Sequence, residues 1–239
     1  MTFFQDVWKI LTYTDTSGRR IILNYLQGFG NTFILTLVAA LIGLVLGFLV
    51  AMCKIAAKQN KWMKIPAFVC NVYTTVIRGT PVALQLFIMV FAILAIPGFK
   101  SYAAILTFGI NSGAYISENI RAGIESVDGG QTEAGRALGL TWGKTMVKIV
   151  LPQAVKNIIP AIGNEMIALL KETSIVSIVG STPGTLTYDL NYAARNAYKS
   201  VTNYLACFAI AGCMYLIVVY LMVFLLKIIE RRLHASDKR

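Results

Sequence analysis

The chain has 239 residues, of which 56% are hydrophobic and 14% charged, with a formal net charge of +11. Soluble domains carry roughly 25% charged residues, and here the apolar residues fall in long uncharged runs. That excludes a soluble globular enzyme and predicts an all-α integral membrane protein. The positive excess is expected in cytoplasmic loops rather than against nucleic acid. Cys53, Cys70, Cys207 and Cys213 lie in apolar surroundings without CxxC spacing, so they are expected as core filler, not as a disulfide or metal framework. The only histidine, His234, lies in the charged tail, which argues against a metal or catalytic centre built on histidine.

Residues 1–20 mix Phe3, Phe4, Val7 and Trp8 with Asp6, Lys9 and Asp15, which predicts an interfacial segment with Trp8 and Tyr13 at the membrane surface. The pattern of a cleavable signal peptide is missing. Residues 21–53 carry no charge, and the first span is expected at about 28–53. Within it, Gly43-x-x-x-Gly47 has the spacing of close helix packing, or is simply the glycine common in membrane helices. Lys54, Lys58, Lys61 and Lys64 follow.

The second span, about 64–96, is interrupted by Arg78-Gly79-Thr80-Pro81. Pro81 lacks an N–H and biases Thr80 away from helical angles, so the span is expected to bend or break there. The third, about 100–126, is polar in its second half: Asn111, Ser112, Ser117, Glu118, Asn119, Arg121 and Glu125. It either emerges into water or lines a polar path, and Glu118/Arg121 and Arg121/Glu125 have the spacing of helical ion pairs. A polar loop, 127–147, leads to a fourth span, about 148–171, which passes Pro152 and Pro160. Residues 174–187 are uncharged and rich in Gly, Pro, Ser and Thr, read as re-entrant or irregular backbone. Residues 188–199 read as an exposed amphipathic connection, 201–226 as the last span, and 233–239 as a tail.

Positive charge alternates between loops. Residues 54–64 supply four cations, 121–148 four more and the tail from Lys227 five. Five spans then put the N-terminus outside and the C-terminus and the 127–147 loop in the cytoplasm. An odd span count without an internal repeat argues against an inverted-repeat carrier and for a dimer that completes the pathway.

In the cytoplasmic loop Thr132 is a natural N-cap, with Glu133 in the first turn, where a carboxylate suits the helix dipole. Ala134, Ala137 and Leu138 offer a small apolar face, Gly139 a terminator with access to positive φ, and Thr141 a cap for the next helix. The loop is a docking element for a separate motor, or an ordinary connection. Gly139-Leu-Thr-Trp-Gly143-Lys144-Thr145 has a superficial likeness to a phosphate-binding loop. It is one residue short, with Leu138 in place of the first glycine and no strand before it. No nucleotide site is expected in this chain.

Glu133-Ala134-x4-Gly139-x9-Ile149-x-Leu151-Pro152 resembles the EAA signature of ABC importer permeases. Ala114-Tyr115-Ile116-x-Glu118-x2-Arg121, Gly130-Gln131, Arg78-Gly79-Thr80-Pro81, Leu151-Pro152-Gln153-Ala154 and Leu170-Lys171-Glu172-Thr173-Ser174 are similar to motifs of the polar amino acid uptake group. The likeness covers about residues 25–235, and Gly135 stands where that signature commonly has alanine, which is expected to loosen the helix. The resemblance implies a type I importer permease of about five transmembrane helices, not itself an enzyme, in a bacterial plasma membrane. Glu133, Ala134, Gly135, Arg136, Ala137, Leu138 and Gly139 would form the coupling helix. Cytoplasmic ATPase subunits would bind ATP and Mg, a second permease subunit would complete the path, and an extracellular solute-binding protein would deliver an amino acid.

A charge at mid-helix costs roughly 2.5–3.5 kcal/mol on insertion scales, so deep polar residues mark candidate substrate contacts. These are Arg78, Thr80, Asn164, Glu165, Lys171, Thr173 and Ser174. Arg78 meets a substrate carboxylate or serves as an interfacial or packing arginine. Glu165 is expected to face the pathway and favour a cationic amino acid. Residues 188–198 are candidates for contact with the binding protein. The alternatives are an ion-gradient-driven carrier and a membrane docking protein that transports nothing.

Overall fold

The structure is a computed structural model that describes residues 3–15, 18–182 and 184–235. The side chain of His234 and residues 236–239 of the expected tail lie outside the described residues. Among the described residues ten α-helices run in order. They are α1 (Phe3–Thr12), α2 (Ile21–Ala56), α3 (Lys64–Gly79), α4 (Val82–Ile88), α5 (Lys100–Glu125), α6 (Gly129–Ala137), α7 (Trp142–Thr145), α8 (Leu151–Glu172), α9 (Leu190–Val201) and α10 (Tyr204–Ala235). Short 3₁₀ turns, Lys61–Met63 and Thr173–Val179, and π-helical turns, Met89–Ile93 and Met146–Val150, join or extend them.

Two of these helices, α2 and α10, are long and apolar enough alone to cross a membrane, and a third span results if the broken pair Lys61–Gly79 and Val82–Ile93 counts as one. The expected third and fourth spans fall on α5 and α8, 26 and 22 residues long but more polar. In α2 the hydroxyls of Thr32 and Thr36 donate to the carbonyls of Gly28 (2.9 Å) and Thr32 (2.8 Å), which satisfies them inside an apolar helix.

The expected break at Pro81 is present: α3 ends at Gly79, and Pro81 (φ −63°, ψ 134°) precedes α4. The Gln85 amide donates to the Thr80 carbonyl (3.1 Å) and hydroxyl (2.8 Å), so polar groups near the break have a partner. Pro152 is the second residue of α8, where the π turn Met146–Val150 passes into the α-helix, and Pro160 lies inside α8.

The chain forms two compact units. The first comprises Met1–Leu41, Thr80–Gly109 and Ala168–Leu221; the second comprises Ile42–Gly79, Ile110–Ile167 and Met222–Arg239.

In the first unit Ile10, Ile21, Tyr25, Leu190 and Cys207 are buried in one cluster with the small face of α9, Ala193, Ala194 and Ala197. The residues expected as an exposed connection thus form an amphipathic helix with one face in the core, while Arg195, Tyr198 and Lys199 stay exposed. The Tyr25 hydroxyl donates to the Cys207 carbonyl (3.0 Å). A Cβ on Gly28 would stand 2.6 Å from the Asp189 carbonyl oxygen, so α2 lies directly on the backbone leading into α9.

In the second unit Ala51, Ile55, Ile116, Ile120, Val150, Ala154 and Ile158 form the core. Gly43 and Gly47 do serve close packing: a Cβ would meet Ser112 at 3.0 Å and Ile116 at 2.7 Å on α5.

Of the four cysteines expected as core filler, Cys207 is buried, Cys53 and Cys70 are half-buried, and Cys213 is exposed, because α10 turns much of its surface outward.

Candidate functional site: a coupling helix and a charged cavity

The polar loop folds into α6, a tight reversal, and α7, continuous through a π turn with α8. The N-cap is Asp128, not Thr132: its Oδ1 accepts from the Gly130 N–H (3.0 Å). Aspartate caps as well as threonine, and the helix therefore starts earlier and carries Thr132 and Glu133 inside it. At the other end the Gly139 N–H bonds the Arg136 carbonyl (2.9 Å) and the Leu140 N–H bonds the Gly135 carbonyl (3.2 Å). With Gly139 at φ +78° this is a Schellman closure, which needs glycine at that position. Thr141 caps α7 as expected, its hydroxyl accepting from the Lys144 N–H (3.4 Å).

Glu133, Ala134, Arg136, Ala137 and Gly139 are exposed, and Leu138 is 79% exposed. Gly135 alone of the helix is buried. A Cβ there would meet Thr145 Cγ2 at 2.6 Å and Ile149 Cδ1 at 2.9 Å. The glycine expected to loosen the helix instead lets it press onto the start of the next one. The Thr145 hydroxyl donates to the Thr141 carbonyl (3.1 Å) inside this packing, so the residues that resemble a phosphate loop form a helix start.

The other site residues fall in several places. In the second unit a cavity of about 460 Å³ is lined by Lys54, Lys58, Asn71, Thr74, Thr75, Arg78, Glu118, Arg121 and Glu125. The expected helical pairs are present, with Arg121 2.7 Å from Glu118 and 2.5 Å from Glu125. Sequence reasoning missed that α2 answers both carboxylates: Lys54 lies 2.7 Å from Glu118 and Lys58 2.7 Å from Glu125. The signal was the one-turn spacing of the two lysines against acids two turns apart. Lys54 also donates to Thr74 (2.7 Å). Arg78 lies over the Tyr115 ring (5.2 Å) and 3.9 Å from Glu118, at the end of α3.

Asn164, exposed, and Glu165, half-buried, are neighbours on α8, and the residues lining the cavity do not include them. In the first unit Thr173 is buried, donating to the Leu170 carbonyl (2.8 Å) and 3.1 Å from the Thr36 hydroxyl. The Ser174 carbonyl accepts from Asn191 (3.0 Å), while Lys171 is exposed. Thr80 is held by Gln85, as described above.

A further residue escaped the sequence reading. Asp189 caps α9, its Oδ1 accepting from the Tyr192 N–H (2.7 Å), and is fully buried. Burial pushes its carboxyl up to about 7, against the pull of that N–H, the nearby Ser177 hydroxyl and Arg195.

Residues 43–235 match the family described as the binding-protein-dependent transport system inner membrane component. The chain belongs to this family. The permease is 41% identical over 219 residues to the arginine transport system permease protein ArtQ of Bacillus subtilis (strain 168), covering 89% of this chain and 93% of that one. It is 40% identical over 215 residues to the putative glutamine transport system permease protein GlnP of Rickettsia typhi, covering 89% and 94%. The crystal structure of an amino acid ABC transporter with histidines superposes with a TM-score of 0.79 at 35% identity, covering 88% of the permease and 94% of that chain. The permease is thus a membrane transport component and not an enzyme.

Proposed function

We propose that this permease subunit of an amino acid ABC importer is driven through α6, and that its substrates are polar amino acids with a preference for cationic ones. The observation that carries the coupling role is the contrast within one short helix. Its outer residues and Leu138 are bare, while Gly135 fixes its inner side on Thr145 and Ile149. A partner that grips Leu138 and Glu133 therefore pulls on α7 and α8 through packed side chains rather than through a slack loop. ATP and Mg belong to the ATPase subunits that would hold this helix; closure of those subunits shifts the permease between states that differ in access. A solute-binding protein delivers substrate, and a second permease subunit completes the path.

Five spans, with the N-terminus outside and the C-terminus and α6 in the cytoplasm, agree with the alternating loop charge. Glu165, half-buried on α8, supplies the negative charge that selects a cationic side chain, with Asn164 beside it. Thr80, Lys171, Thr173 and Ser174 remain further candidates for the pathway, and Arg78 for the substrate carboxylate.

Copurification and vesicle uptake test the proposal together. Replacing Leu138 by Asp together with Glu133 by Lys is expected to remove an ATPase from the purified complex and abolish ATP-dependent uptake. Glu165→Gln is expected to reduce uptake of arginine relative to glutamine about tenfold while the ATPase stays bound. Uptake that persists without an ATPase overturns the coupling role. An unchanged arginine-to-glutamine ratio overturns the role of Glu165.

A further inference from the structure

We propose that the cavity of the second unit is a binding site for a phosphate-type oxyanion, and that the headgroup of an anionic lipid is its source. Four cations, Lys54, Lys58, Arg78 and Arg121, share two carboxylates, Glu118 and Glu125. The surplus is two positive charges. Both oxygens of Glu118 are already engaged at 2.7 Å by Lys54 and Arg121, so Arg78, at 3.9 Å, is the loosest of the four. Its guanidinium lies over the Tyr115 ring (5.2 Å) and its side chain is 43% exposed, while Lys58 is 60% exposed. A guanidinium fork over a ring beside an exposed ammonium suits an oxyanion that takes two or more donors.

The surroundings point to the membrane surface. Trp62 is 78% exposed, with the Lys61 ammonium 5.8 Å from its ring centre, an arrangement of the headgroup level. From there α3 presents two faces. Phe68, Val69, Val72 and Val76 are exposed and apolar, whereas Asn71, Thr74, Thr75 and Arg78 line the cavity. A lipid whose chains lie along the first face would bring its phosphate to the second. Basic cavities between membrane helices take anionic headgroups in this way.

The test uses the full-length chain purified in a zwitterionic detergent. Bound lipid is counted by native mass spectrometry with phosphatidylglycerol against phosphatidylcholine, and melting is followed with and without each. Phosphatidylglycerol is expected to be retained and to raise the melting temperature. Lys58→Gln with Arg78→Gln is expected to weaken that retention tenfold or more. Lys61→Gln with Lys64→Gln, an equal loss of charge outside the cavity, is expected to leave it within about twofold. In neutral lipid alone, stabilisation of the wild-type chain by millimolar inorganic phosphate, lost in the cavity variant, assigns the site to free phosphate and keeps the oxyanion site. The proposal is overturned if the wild-type chain keeps the two lipids equally and does not respond to phosphate. It is also overturned if the cavity variant folds and retains phosphatidylglycerol as the wild type does.

Discussion

A methyl group on residue 135 has no room beside Thr145 Cγ2 at 2.6 Å, and Thr145 is itself buried and β-branched. Gly135→Ala is therefore expected to destabilise the chain by about 1–3 kcal/mol, the usual cost of overpacking, and to lower ATP-driven uptake. Thr145→Ser, which removes the opposing methyl, should restore most of the loss in the double variant; thermal melts of the four chains in a cycle check this.

Asp189 yields a pH dependence. The unfolded carboxyl titrates near ~3.9 and the folded one at about 7. Between these values the folded chain holds a proton the unfolded chain has released, so stability falls as pH rises across the window and is fully present below it. Melting temperature should drop from pH 5 to pH 8, and Asp189→Asn, which can still cap α9, should flatten that slope.

At the scale of elements, α6 separates two caps that look equal on paper. Asp128→Ala is expected to cost about 1 kcal/mol and to speed amide exchange across residues 129–137, whereas Thr132→Ala should leave both nearly unchanged. The sequence alone favoured Thr132 because a carboxylate followed it at once; nothing local distinguishes a helix that starts at Gly129 from one that starts at Glu133. Other elements were legible because one residue decides them. Pro81 follows the end of α3 and opens α4, and Gly139 ends α6 with φ +78°. The closeness of α2 and α5 was half legible, since Gly43 and Gly47 permit it and only the facing Ser112 and Ile116 make use of it.

Over the whole molecule, the long apolar runs and the motif order were enough to read an all-helical permease. The charge network was not, because Lys54 and Glu118 are separated by 64 residues and no local rule pairs them. The same limit applies to Asp189, whose burial depends on what folds around it. The proposed sidedness, with α6 in the cytoplasm, has a direct check: a cysteine placed at Glu133, in a chain freed of its four native cysteines, should react with an impermeant maleimide only in inside-out vesicles. Labelling from the outer face of whole cells would reverse the orientation and displace the coupling helix from any ATPase.

The bond between Lys54 and Glu118 also bears on how the chain is made. The ribosome delivers the first of these side chains well before the second, and α5, with Glu118, Arg121 and Glu125, is too polar to enter lipid comfortably alone. The Lys54–Glu118 contact therefore cannot exist until α5 has been made, and whatever it contributes to holding α2 is added only at that later stage of synthesis.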